Sequence, residues 1–352
     1  MNDNRRQSVR FVLIATVVML MAPAHAPGNG EAERYAPRAF RAAVARVMPS
    51  VVTIETYGGR LGSGEGPTTG LIISADGYIL TSTFNFIRKP SIITVVLRDG
   101  SQHVAKLLGR DETRGLCLLK IDDAVSLPVP AIAPASDVGI GQWAVSVGVG
   151  YGGDAPAMSA GIISALHRVS DRAVQTDANT SPANYGGPLV DITGRVIGVC
   201  VPLSPMGNST TAGAEWYDSG IGFAIPLDGL AAIVARLKRG DTIRPGRMGI
   251  IASPLPTGEG VKIEKVASDS PAAAAGLGEG DVITGIDGAK VIDLLALRIA
   301  LGRYAAGDEL TIVLTRAGAT SSVTLTLAAG PFKYPQPAKP DRPNEPPAPA
   351  NE

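Results

Sequence analysis

Between residues 51 and 224 the chain is a succession of short apolar runs rich in β-branched residues, cut at close intervals by glycine-bearing turns. The runs include VVTIET, GLIIS, GYILTS, SIITVVLR, LCLLKI, QWAVSVG, GIISAL, PLVDI, RVIGVCV and GFAIP, with Asp76-Gly77, Asp99-Gly100 and Thr193-Gly194 as turn signals. β-Branched side chains suit a pleated surface, and glycine supplies the positive φ that tight turns need. Many short strands with such turns indicate an all-β barrel or sandwich. At 352 residues the chain is long enough for a second domain beyond this one.

The flanks have a different texture. Arg5, Arg6 and Arg10 precede an apolar run over residues 11–22, and Ala24-His25-Ala26 supplies a small-x-small cleavage pattern. This combination reads as a secretory signal over residues 1–26, cut after Ala26. The run is shorter than the ~20 apolar residues that cross a bilayer. The paired arginines hint at twin-arginine export, but no Phe-Leu follows them. Residues 27–46 form a polar leader that passes into a short helix over 40–47. Residues 226–238 read as one amphipathic helix, with Pro226 at its start and Gly240 after its end. A charged linker, 239–247, leads to a second module over 248–328. The proline-rich stretch 329–352 cannot build a core and reads as a disordered tail.

Formal net charge is +0, which removes any general electrostatic case for nucleic acid or an anionic membrane. No metal or organic cofactor motif is present. Cys117 and Cys200 lie inside apolar runs; an exported chain could pair them, while two small buried hydrophobes is the simpler reading.

Several segments in register carry a family resemblance. TTGLIISADGYILTS (68–82), DETRGLCLLKI (111–121), GQWAVSVGVGYG, SAGIISALHR, QTDANTSPANYGGPL and GIGFAIPLD follow one another as in the HtrA/Deg family of exported trypsin-like serine proteases. The resemblance implies a mainly β fold: a chymotrypsin-like double β-barrel over 47–238 with a cleft between its halves. The second module resembles a PDZ domain, through GRMGI (246–250) and VASDSPAAAAGLGEGDVITGIDG (266–288). A PDZ domain adds an extended peptide to a strand edge and captures the terminal carboxylate on a loop of N–H groups. Here that implies peptide contacts from Arg247, Met248, Gly249, Ile250 and Ile251, opposite a helix around 293–303.

Acyl transfer by this family needs a nucleophile, an imidazole to take its proton and a carboxylate to orient the imidazole. Aligned on the family motifs, the imidazole position is Phe84, the carboxylate position Gly115 and the serine position Tyr185. In the oxyanion loop, Ala183 stands where the family has glycine, followed by Asn184. The three histidines are His25, in the signal, and His103 and His167, in motifs that do not lead to the cleft. A buried aspartate beside Phe84 would be an unpaired charge, so Gly115 fits its partner and leaves volume for an aromatic neighbour. Phe84 and Tyr185 are expected to form an apolar plug.

These readings imply an exported pseudoprotease that binds peptide C-termini or unfolded segments, as a holdase, an adaptor or a regulatory subunit for an active protease homologue. The family further implies a homotrimer assembled through the segment ahead of the barrel, with Tyr35 and Phe40 as its aromatic contacts. Two rivals stand beside this reading: a working HtrA-type endopeptidase, and a structural envelope protein without clients. Trp216 and Tyr217, in the loop 203–219, either border the cleft or face solvent.

Overall fold

The computed structural model describes residues 37–332 except 59–66, 87–89, 123–125, 151, 153–154 and 204–218. The signal, Tyr35, Trp216, Tyr217 and residues 333–352 lie outside the described residues. Among those described, no helix is long and apolar enough to cross a membrane.

The chain enters through helix α1 (Pro37–Val47), which buries Ala43, Val44 and Val47. Phe40, read from the sequence as an assembly contact, packs edge-on against Trp143 of the same chain, with ring centroids 5.3 Å apart. Six strands follow: β1 (Val51–Tyr57), β2 (Thr68–Ile72), β3 (Tyr78–Ser82), β4 (Ile92–Val96), β5 (Gln102–Asp111) and β6 (Leu116–Ile121). They pair in the order β5-β4-β1-β2-β3-β6, and β5 also pairs with β6, which closes the ring. A second closed barrel has the order β10-β11-β12-β9-β8-β7. Its strands are β7 (Trp143–Gly148), β8 (Ala157–His167), β9 (Ala173–Thr176), β10 (Pro188–Asp191), β11 (Val196–Val201) and β12 (Gly222–Pro226).

Strand alternation sends successive side chains to opposite faces, and here both faces are dry. On β6, Cys117, Leu119 and Ile121 fill the first barrel, while Leu116 and Leu118 point toward the second. On β11, Ile197 and Cys200 fill the second barrel, while Val199 and Val201 join the shared core. The two cysteines therefore occupy different barrel interiors, unpaired. Burial pushes both thiols up to about 12, so neither is a nucleophile at neutral pH.

The helix expected over 226–238 is shorter. Pro226 ends β12, and helix α2 runs only over Ala231–Lys238, after a turn in which Gly229 has φ +81°. Leu227 and Leu230 are buried as expected, but ahead of the helix rather than on it. The stretch read as a linker carries β13 (Thr242–Ile243), which pairs in parallel with Arg110 and Asp111 of β5.

The second module is a sheet in the order β14-β15-β16-β18-β19, with β17 beside β16. Its elements are β14 (Ile250–Pro254), β15 (Val261–Val266), α3 (Pro271–Ala274), β16 (Val282–Ile286), β17 (Ala289–Lys290), α4 (Leu294–Leu301), β18 (Glu309–Arg316) and β19 (Ala319–Thr326). Ser270 and Asp293 cap α3 and α4, each accepting a hydrogen bond from the N–H three residues on. Below the sheet, buried Asp281 accepts from Arg316 Nε and Nη2, both at 2.7 Å, and from the Gly278 N–H. The Arg316 hydrogen bonds hold the Asp281 carboxyl below its usual range against the opposing effect of burial. A depressed folded-state pKa stabilises fully above the ordinary carboxylate value, ~3.9, and that contribution is lost as pH falls through the folded value. The thermal midpoint of the wild-type module is expected to fall more steeply below about pH 4 than that of an Asp281→Asn variant. Parallel slopes in calorimetry would contradict this.

Candidate functional site

Tyr185 sits in the turn between β9 and β10, and the turn is fastened from both barrels. Asn184 N and Tyr185 N both donate to Ser181 O, at 2.8 and 3.0 Å, closing one helical turn. Thr69 of β2 donates its hydroxyl to Ala183 O at 2.8 Å and accepts from Val149 N. Thr81 of β3 donates to Thr69 O, and Asn85 Nδ2 donates to both Thr81 Oγ1 and Tyr185 O. Gly186, at φ +88°, lies so close to Thr69 O and Thr81 Oγ1 that no Cβ fits there. Buried hydroxyls and an amide thus knit the first barrel to the loop of the second. Asn85 Oδ1 is the exception: it is buried and unpaired, a local cost of the arrangement.

Phe84 stands in a short 3-10 turn, Thr83–Phe86, after β3. Thr83 N donates to Gly115 O at 2.8 Å, which brings the segment before β6 to the same place. The Phe84 and Tyr185 rings meet edge to face, with centroids 5.3 Å apart and planes at 75°. Tyr185 is only 2% exposed. The aromatic pair expected from the sequence is present, but among the described residues the atoms nearest the space beside Gly115 are not aromatic. A Cβ on Gly115 would meet Val201 Cβ at 3.6 Å, Thr83 Oγ1 at 3.7 Å and Leu203 Cδ2 at 3.9 Å. Aliphatic side chains from the end of β11 border that volume.

The loop is also spent as a source of hydrogen-bond donors. An oxyanion needs N–H groups aimed at it from 2.7–3.1 Å. Tyr185 N is committed to Ser181 O, and Ala183 N points at Ser181 Oγ, 3.3 Å away. Ser181 Oγ in turn donates to Asn184 Oδ1. Beside the turn lies a shallow pocket of about 170 Å³, bordered by Met158, Ser159, Asn179 and Ser181. His103, on β5, contacts Ser101, and His167, exposed at the end of β8, contacts Asp171; neither bonds to the loop. Among the described residues no group of His, Cys, Asp and Glu is placed to hold a metal ion.

In the second module, Arg247, Met248, Gly249 and Ile250 form the loop entering β14. Met248 O accepts from Ala272 N and Gly249 O from Ala267 N, both at 2.9 Å, so the loop carbonyls are tied back. The Met248 and Gly249 N–H groups donate to no acceptor among the described residues. Gly249 has φ +83° and lies against Ser270, where a side chain has no room. The Met248 side chain is buried in the module core, leaving its backbone as the part offered to a ligand. Ile251 on β14 and Leu295 and Ile299 on α4 are exposed. Adjacent free N–H groups above an apolar edge suit a chain terminus: carboxylate on the donors, side chain on the aliphatics.

Comparison with known proteins agrees with this architecture. The trypsin-like peptidase domain family matches residues 68–199, and the PDZ domain family matches residues 246–327. The crystal structure of the serine endoprotease from Yersinia pestis is 31% identical, with a TM-score of 0.64 over 82% of this chain and 97% of that one. The HtrA-type protease AlgW with tripeptide is 30% identical, with a TM-score of 0.65 over 85% of this chain and 98% of that one. The chain belongs to the HtrA family. Among curated HtrA relatives, the probable periplasmic serine endoprotease DegP-like of Halomonas elongata is 32% identical over 75% of this chain. Periplasmic serine endoprotease DegP of Escherichia coli is 30% identical over 77% of it. The chain spans 56% and 60% of those two proteins, so it covers little more than half of each.

Within the HtrA frame, the trypsin-like match contains Phe84, Gly115, Ala183, Asn184 and Tyr185, and the PDZ match contains the loop from Arg247 to Ile251. Sequence reasoning missed the part that Thr69, Thr81, Asn85 and Ser181 play in holding the loop. A usable signal existed: polar residues, Thr69 on β2 and Thr81 on β3, inside strands that are otherwise largely apolar, and an asparagine between Phe84 and Phe86. Buried polar groups are bonded to something, and here that something is the loop.

Proposed function

We propose that this HtrA chain is catalytically silent and binds peptide C-termini or unfolded protein segments through its PDZ module, in the periplasm, as part of envelope protein quality control or regulation. The observation that carries the reading is the Tyr185 ring, buried edge-on against Phe84 in a loop whose N–H donors already serve Ser181. By resemblance to the family motifs, we read Phe84, Gly115 and Tyr185 as standing in for imidazole, carboxylate and serine. A phenol, ordinarily of pKa ~10, attacks at neutral pH only with a base to take its proton, and neither His103 nor His167 bonds to this loop. The units would be a barrel pair over 47–238 and a peptide-binding module over 248–328. The periplasmic names of the relatives and the signal-like residues 1–26 support export. The HtrA-type protease AlgW, solved with a decapeptide and with a tripeptide, supports peptide as ligand. By the same kinship we propose a homotrimer, with an active protease homologue as a further partner.

The relatives are named as endoproteases, which favours one rival: an active enzyme. Incubation of residues 27–352 with unfolded casein separates the two, with an active HtrA protease as positive control and a Tyr185→Ala chain in parallel. Intact casein is expected from both variants, even with a C-terminal peptide added. Cleavage that disappears with Tyr185→Ala would overturn the reading.

A further inference from the structure

The PDZ loop is held from behind by the last residue read as part of the module, Ala328, and by residues 329–332, which composition alone assigns to the tail. After β19 the chain turns back along the loop: Arg247 N donates to Ala328 O at 2.9 Å, and Ala328 N donates to Arg247 O at 3.2 Å. Gly330 lies against the Arg247 side chain, whose Cδ is 2.6 Å from where a Gly330 Cβ would stand. Phe332 then reaches the apex of the loop, its Cδ2 3.1 Å from where a Gly249 Cβ would stand. Arg247 is thus bonded to Ala328, Met248 O to Ala272, and Gly249 O to Ala267, with Phe332 packed on the glycine. Only the Met248 and Gly249 N–H groups are left over among the described residues of this loop.

We propose that residues 328–332 are a positioning brace for the carboxylate-binding loop, with Phe332 as its key side chain. The inference rests on the reading of residues 247–251 as a peptide site. Gly249 adopts a left-handed conformation that glycine also leaves easily, so a loop built around it needs outside support to stay formed. A donor pair fixed in advance binds a carboxylate without first ordering itself. Phe332 and the backbone pair from Ala328 to Arg247 supply that support from behind the Met248 and Gly249 donors. The peptide site is therefore assembled from both ends of the module, from residues far apart in sequence.

The test compares the full chain with Phe332→Ala and with Ala328→Pro, which removes the N–H that bonds Arg247 O. The first readout is fluorescence anisotropy with a fluorescein-labelled Gly-Ser-Gly-Ala-Val-Leu peptide bearing a free carboxylate, against the same peptide amidated. If the loop is competent about a tenth of the time without the brace, affinity for the free-carboxylate peptide falls roughly tenfold. Binding of the amide should not change. The second readout is amide hydrogen exchange over residues 246–250 without peptide, which should speed up in both variants at an unchanged unfolding midpoint. Unchanged exchange together with an affinity within about twofold of wild type overturns the brace. Tighter binding in Phe332→Ala also overturns it, since the segment would then be a competitor. Faster exchange in a chain whose wild type binds no peptide keeps the brace and overturns the peptide-site reading instead.

Discussion

A Tyr185→Ala chain is expected to lose about 3–5 kcal/mol of stability, the usual cost of truncating a buried aromatic. The ring is 2% exposed and packs edge to face on Phe84, so its removal opens a cavity between the barrels. Aromatic pairs of this geometry add about 0.5–1.5 kcal/mol beyond area burial, a coupling that a Phe84→Ala, Tyr185→Ala double-mutant cycle would isolate. In a unit of this size, each kcal/mol moves the thermal midpoint by roughly 2–4 °C, so the shift should be on the order of 10 °C. A loss below about 1 kcal/mol would show that the ring is not part of the packed interior. The prediction also separates the two functional readings. At a working site this position would bear a small reactive side chain, and trimming it would leave the fold intact.

Asp111→Ala should be comparably damaging for an electrostatic reason. The carboxylate is fully buried. Its Oδ1 accepts from Thr113 N, Thr113 Oγ1 and Arg114 N, and its Oδ2 from Arg114 Nη1 at 3.0 Å. Nearby Arg172 is pushed down to about 10, first by burial and then by the charge of Arg114, with Asp111 opposing both. Deleting the carboxylate strands two backbone donors and leaves two guanidinium groups facing each other without a counter-charge. Breaking a buried pair in this way costs about 3–5 kcal/mol. The turn also leads into Gly115, whose carbonyl holds Thr83 beside Phe84, so the damage should spread to the aromatic plug. Asp111→Asn, which keeps an acceptor for Thr113 and Arg114 N–H groups, should fall between wild type and alanine in urea melts. An alanine variant as stable as wild type would refute the account.

The strands were legible because their signal is local. Runs such as LCLLKI and VIGVCV fold as written, buried on both faces. The helix after Pro226 was misplaced because proline's fixed φ suits the end of a strand as well as the start of a helix, and the buried Leu227 and Leu230 mimic a helical stripe. Asn85 and Tyr185 lie 100 residues apart, so their contact could be expected only through family alignment, never from spacing. The commitment of the Asn184 and Tyr185 N–H groups to the Ser181 carbonyl leaves no trace in residue types at all. Composition misled at residues 329–332 for a simple reason. Proline and glycine weaken the case for a core, but a backbone pair between Ala328 and Arg247 and one aromatic ring are enough to hold the four residues that follow.

Thr242 and Ile243 pair with β5, so the second module hangs from the first barrel by a strand rather than a slack tether. Arg244 O accepts from Ala306 N, and Gly246 N donates to Tyr304 O, which continues the hold into the module itself. A chain whose terminus rests in the groove is thereby kept at a set reach from the barrel surface. On the peptide reading proposed above, a weak second contact of the same polypeptide with the barrel surface would act at the high effective concentration of a short tether and reinforce the first ~10²–10⁴-fold.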